Sequence, residues 1–80
     1  MTTKEIFTKD IEAIDYEIAK ANAQIELFEW IASNEKDKKK NAEILLKVEA
    51  LKDTNKKNVL SKQMIGEFLL SKESTKTPFL

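Results

Sequence analysis

Along the first part of the chain, apolar residues recur at Phe7, Ile11, Ile14, Ile18, Ala21, Ile25, Phe28 and Ala32, separated alternately by four and three residues. An α-helix gathers such positions into one stripe, because its 3.6-residue turn sets i, i+3, i+4 and i+7 side by side. The spacing predicts a helix over residues 3–33. Ile11, Ile18, Ile25 and Ala32 occupy one core position of a heptad, and Phe7, Ile14, Ala21 and Phe28 the other. Thr2 and Glu5 have the spacing of a capping box, which satisfies amide donors at a helix start. At 1.5 Å per residue the rod is about 45 Å long and needs a partner of similar length. β-Branched residues at both core positions disfavour a parallel dimer, and Ala21 lets another helix approach closely. An antiparallel hairpin, or a bundle of three or four helices, is expected.

Residues 33–41, SNEKDKKKN, are wholly polar and interrupt the pattern. A short turn there makes the next helix antiparallel to the first. Asn34 with Asp37, or Asn41 with Glu43, supplies a start for it. Apolar spacing resumes at Ile44, Val48 and Leu51, meets KDTNKKN at residues 52–58, and returns at Ile65 and Leu69. In one reading a single helix spans about residues 35–71 and carries Asn55, Asn58 and Lys62 on its core side, where polar residues set register. In the other, the chain turns near Thr54 and a third helix buries Leu60, Met64, Ile65, Phe68 and Leu69. The lack of Gly and Pro in residues 52–58 favours the continuous or kinked helix. Gly66 fits either a close helix crossing or a tolerated weak position.

The expected fold class is therefore all-α, an antiparallel helical hairpin with a coiled-coil-like heptad seam or a small three-helix bundle, and self-associating. One domain is expected over residues 1–72, followed by a flexible tail over residues 73–80 in which Pro78 stops any helix and Phe79 and Leu80 offer a short docking motif.

The first helix has a second stripe. Ile6, Ala13, Tyr16, Ala23, Leu27 and Trp30 fall opposite the first, interrupted by Lys9 and Lys20. A helix apolar on two sides is normally sandwiched between neighbours. Another copy of the chain, or a third helix from residues 59–70, is the expected cover. The alternative is that Tyr16, Leu27 and Trp30 form a docking patch for a different protein, since Trp and Tyr are enriched among interface hot spots.

Composition narrows the chemistry. A chain of 80 residues, 41% hydrophobic and 35% charged with one Gly and one Pro, suits a helical protein with a single thin core. Cys and His are both absent, which excludes disulfides and thiolate metal sites and removes the usual metal ligand and neutral-pH proton shuttle. One Gly leaves no room for a Gly-rich phosphate loop. Ser33, Ser61, Ser71 and Ser74 have no imidazole to activate them, and carboxylate pairs such as Glu12 and Asp15 read as a solvated helix face. No enzyme activity, cofactor or metal is expected. The opening MTTKEIFTKD lacks the apolar core of a signal peptide, and no run approaches the 18 or so apolar residues of a membrane span. A cytoplasmic location and no membrane partner are expected. The basic residues are all Lys, the bias of A/T-rich coding sequences such as those of phages and low-GC bacteria.

The net charge of zero conceals an asymmetry. Residues 1–33 hold three Lys against seven acids, and residues 34–80 eleven Lys against seven acids, or minus four and plus four. The opposite charges suit an acidic helix lying beside a basic one. The competing use is a nucleic-acid surface built from Lys36, Lys38, Lys39, Lys40, Lys56 and Lys57, although no Arg or interleaved aromatic supports it. The expected function is that of a small regulatory or inhibitory protein that binds a larger protein through Tyr16, Leu27 and Trp30, with Lys36, Lys38, Lys39 and Lys40 steering the encounter. A Lys-rich nucleic-acid-binding hairpin and a structural homo-oligomer are the alternatives.

Overall fold

The structure, a computed structural model, describes the backbone of residues 1–75 and the side chains of residues 1–72. Two helices, α1 (Thr3–Asn34) and α2 (Lys38–Thr75), lie antiparallel as a hairpin with extents of 66 × 21 × 13 Å. The start of α1 is held by a full capping box. The Glu5 amide donates to Thr2 Oγ1 at 3.2 Å, and the Thr2 amide donates to Glu5 Oε1 at 3.4 Å.

The polar run after α1 supplies donors to the last carbonyls of the helix, which have no partner within it. The Ser33 hydroxyl and the Asn34 amide both donate to the Trp30 carbonyl, at 2.7 and 2.8 Å. Glu35 turns extended, and its N–H donates to the Ala32 carbonyl at 3.2 Å. Neither expected pairing starts α2. Asn34 closes α1, and Asp37 is itself the cap, its Oδ1 accepting from the Lys39 and Lys40 amides at 2.9 and 3.4 Å. Asn41 lies inside the first turn of α2 and sends its side-chain amide across to the Ala32 carbonyl at 2.6 Å. That bond ties the two helices together at the turn.

α2 runs without interruption through residues 52–58, so there is no third helix among the described residues. Two of its polar side chains are satisfied within the helix. The Thr54 hydroxyl donates to the Ala50 carbonyl at 3.1 Å, and Lys57 pairs with Asp53 one turn away at 3.3 Å. The helix also continues to Thr75, into the first residues of the span 73–80 expected as a tail. Pro78, Phe79 and Leu80 lie outside the described residues.

Between the helices α1 places Phe7, Ile11, Ile14, Ile18, Ala21, Ile25, Phe28 and Ala32, and α2 places Ile44, Val48, Leu51, Ile65 and Leu69. Only Ala21, Ala32 and Val48 are buried, and the others are half-buried. One interface between two cylinders leaves every side chain larger than Val48 open at an edge. The rings Phe7 and Phe68 meet edge to face at 5.6 Å and 80° near the open end. Lys47 and Lys72 lay their ammonium groups 5.8 and 5.5 Å from the centres of Phe28 and Phe68. The accessible surface is 6425 Å², whereas size scaling gives about 4,900 Å² for a compact monomer of 9.2 kDa. The difference is surface that the hairpin itself has no means to cover.

A Cβ built at Gly66 meets nothing within 4 Å, so no close helix crossing requires this glycine. Gly66→Ala should stabilise the fold by about 0.5–1 kcal/mol through backbone entropy alone. Urea unfolding followed by circular dichroism tests this, and a lower midpoint in the variant would reveal a neighbour that the hairpin does not supply.

Candidate protein-contact surface

The second stripe of α1 faces solvent. Tyr16 is 66%, Leu27 52% and Trp30 64% exposed, and Ile6 is 45% exposed. No third helix reaches them, because residues 59–70 belong to α2 and their Ile65 and Leu69 turn toward α1. Leu27 and Trp30 are one turn apart and form a pair. Tyr16 stands about 20 Å away along the same side, at 1.5 Å per residue.

The end of α1 that carries this pair is held firmly. Trp30's own carbonyl accepts the bonds from Ser33 and Asn34, and Ala32, two residues on, accepts those from Glu35 and Asn41. Four hydrogen bonds within two residues of the indole fix the backbone that presents it, which lowers the ordering cost of any contact it makes.

Carboxylates border the stripe. Heptad geometry sets Glu5, Glu12 and Glu26 along one edge and Asp10 and Glu17 along the other, all exposed. The remaining two acids of α1 turn toward α2. Asp15 pairs with Lys62 at 2.7 Å, and Glu29 pairs with Lys52 at 4.0 Å. Both pairs are about half exposed and contribute under about 1 kcal/mol each. Charge complementarity between the helices therefore uses the flanking acids and leaves the outer ones facing outward.

A polar section divides the interface itself. The Asn55 amide donates to Asn22 Oδ1 at 2.7 Å, Asn58 is half-buried beside it, and Lys62 leaves the interface to reach Asp15. Asn55 Oδ1 is buried and meets no donor among the described residues. A buried acceptor of this kind costs about 1–3 kcal/mol. An Asn pair in an apolar interface is the device that fixes register at the expense of stability.

The lysines are placed less coherently. Lys36 lies in the turn, and Lys38, Lys39 and Lys40 are consecutive in the first turn of α2, so they point to three sides of it. Positive charge at a helix N-terminus opposes the helix dipole, so these residues do not serve the stability of α2. Lys56 and Lys57 are some 24 Å further along the axis at 1.5 Å per residue.

α2 carries a second exposed group, which includes Leu60 and Met64, expected in the core of a third helix and left open because α2 is continuous, and Leu45, Leu46 and Val59, which the core periodicity passed over. Leu45, Leu46, Val59 and Leu60 are 45–69% exposed, and Met64 is 59% exposed. The two doublets are two heptads apart, a regularity that a search for a single core register passes over.

Among the described residues no group of three or more Asp, Glu, His or Cys gathers as a metal site, and no helix is long and apolar enough to cross a membrane. No known protein family, curated protein or solved structure matches the chain. Trp30→Ala should change the free energy of unfolding by less than about 0.5 kcal/mol, as expected for an exposed side chain. A larger loss in urea unfolding would show that the indole packs against part of its own chain.

Proposed function

We propose that this protein is a small non-enzymatic binding protein that regulates or inhibits a larger protein by occupying one of its surfaces. The observation that carries the reading is the outer face of α1, where Leu27 and Trp30, with Tyr16 further along, stand exposed on a fixed backbone between rows of carboxylates. The matching surface on a partner is an apolar groove or helix bordered by Lys or Arg. The edges of a second copy of α1 do not match it, and Lys9 and Lys20 are the cations on the stripe itself. An antiparallel pairing of these faces sets Glu12 and Glu26 against the same acidic row, and Asp10 and Glu17 against theirs.

In this reading the heptad-spaced residues between the helices act as a coiled-coil-like seam that keeps α1 straight, and the Asn22–Asn55 contact holds its register. The aromatic side chains supply affinity as hot-spot anchors. Lys36, Lys38, Lys39 and Lys40 steer approach without forming the contact. Nucleic-acid binding is the weaker reading, since the lysines point in several directions and fall into two groups along α2.

The test is capture of partners from a lysate of the source cells on the parent protein and on its Trp30→Ala variant, repeated at about 50 and 200 mM salt. A protein held by the parent at both salt concentrations, and released about 30-fold more readily from the variant, is the expected result, since a hot-spot truncation costs about 2 kcal/mol or more. Equal retention by both chains contradicts the proposal. A ligand that is nucleic acid, lost steeply as salt rises, moves the function to the lysines.

A further inference from the structure

We infer that α2 pairs with α2 of a second copy, antiparallel, about a two-fold axis that passes between Lys52 and Asp53. The proposal concerns the opposite helix from the partner-binding face and stands independently of it.

Residues 45–60 read LLKVEALKDTNKKNVL. Leu45, Glu49, Lys52, Lys56 and Val59 are spaced by fours and threes, and so are Leu46, Glu49, Asp53, Lys56 and Leu60. These two interleaved rows share one side of α2. Most of that side is turned away from α1, and Lys52 at its edge reaches Glu29. Leu45 is 45%, Leu46 69%, Val59 53% and Leu60 56% exposed, and the charged members of both rows are exposed as well.

The order of these residues is self-complementary. Turning a copy end for end about the midpoint brings the Leu45 and Leu46 doublet opposite the Val59 and Leu60 doublet of the second copy. Glu49 then faces Lys56, and by symmetry Lys56 faces Glu49. Around the axis itself Lys52 and Asp53 of both copies form a group of four charges with equal numbers of each sign. Two apolar clusters thus flank a charged centre in which every charge has an opposite neighbour. This is the relation an isologous contact requires, in which residue i meets j and j meets i.

In the single chain this face is poorly satisfied. Lys52 reaches Glu29 only at 4.0 Å, with both side chains about half exposed, and Asp53 relies on Lys57 one turn away. The hairpin exposes roughly 1,500 Å² more than a compact chain of its mass. The pairing leaves the outer face of α1 on both copies open. A dimer then carries two docking faces, and a partner with two sites is held by effective concentration as well as by contact.

The test is sedimentation equilibrium of the parent and of charge-swap variants over a hundredfold range of concentration, with circular dichroism to confirm helicity. The parent should approach twice 9.2 kDa as concentration rises. Glu49→Lys alone sets Lys against Lys twice in the dimer, and Lys56→Glu alone sets Glu against Glu twice. Each should weaken self-association by roughly tenfold or more. Mixing the two single variants should restore a dimer, because the mixed pair again opposes unlike charges. Both changes in one chain, Glu49→Lys with Lys56→Glu, should dimerise like the parent. If a single variant loses helicity, that doubly changed chain decides the matter, since it retains the pairing in swapped form. A parent that remains monomeric, single variants as dimeric as the parent, or a mixture and a double variant that fail to recover would each overturn the inference.

Discussion

The rest of this structure depends on one contact, the side-by-side packing of α1 on α2. Two cylinders share a single interface, and a side chain in it is covered by one neighbour and open at its edges. Among the described residues that geometry limits the buried ones to Ala21, Ala32 and Val48, although Ile, Leu and Phe line both sides. It also means that apolar residues elsewhere on either helix have no place inside the chain. Length is what makes the contact sufficient, since many half-buried side chains accumulate the stabilisation that a few fully buried ones give a compact domain. The Asn22–Asn55 contact interrupts it, and the bond from Asn41 to Ala32 closes it at the turn.

Much of this architecture can be read from the residues. The α1 positions at alternating spacings of three and four are the ones that come to lie against α2, because helical geometry leaves an apolar stripe of that period no other arrangement. Thr2 and Glu5 form the cap that their spacing indicates, since both groups of a capping box are local. The second helix is less legible. Asn55, Asn58 and Lys62 interrupt its apolar pattern as a turn would, but in the fold the Asn55 amide donates to Asn22 and Lys62 pairs with Asp15, so the helix continues across them. Those partners are about 33 and 47 residues distant, out of reach of any local rule. The start of α2 is ambiguous for a related reason. Asn34, Asp37 and Asn41 are all capable caps, and the tertiary bond of Asn41 to Ala32 selects Asp37.

The candidate contact surfaces show the same division. Tyr16, Leu27 and Trp30 stand out in sequence because they form a stripe opposite a recognised core, and they are exposed in the fold. The α2 doublets Leu45–Leu46 and Val59–Leu60 do not stand out, because they straddle the core register and belong to neither heptad row. Their meaning emerges only when α1 is in place and the uncovered side of α2 is known. The charges divide in parallel. Asp15 and Glu29 serve the hairpin, whereas Glu12, Glu26, Asp10 and Glu17 border the outer stripe of α1 and set the charge sign of what can settle there. A protein built in this way has little interior and offers most of its chemistry as surface.

The measurement that tests this account most directly is acrylamide quenching of the fluorescence of Trp30, the one tryptophan in the chain, over a wide range of protein concentration. The quenching and emission should be those of a water-exposed indole throughout, including at concentrations where the proposed α2 pairing would double the mass. A shielded, blue-shifted indole would contradict it, because the outer face of α1 would then be covered by this chain or by its copy and would not be open to a partner.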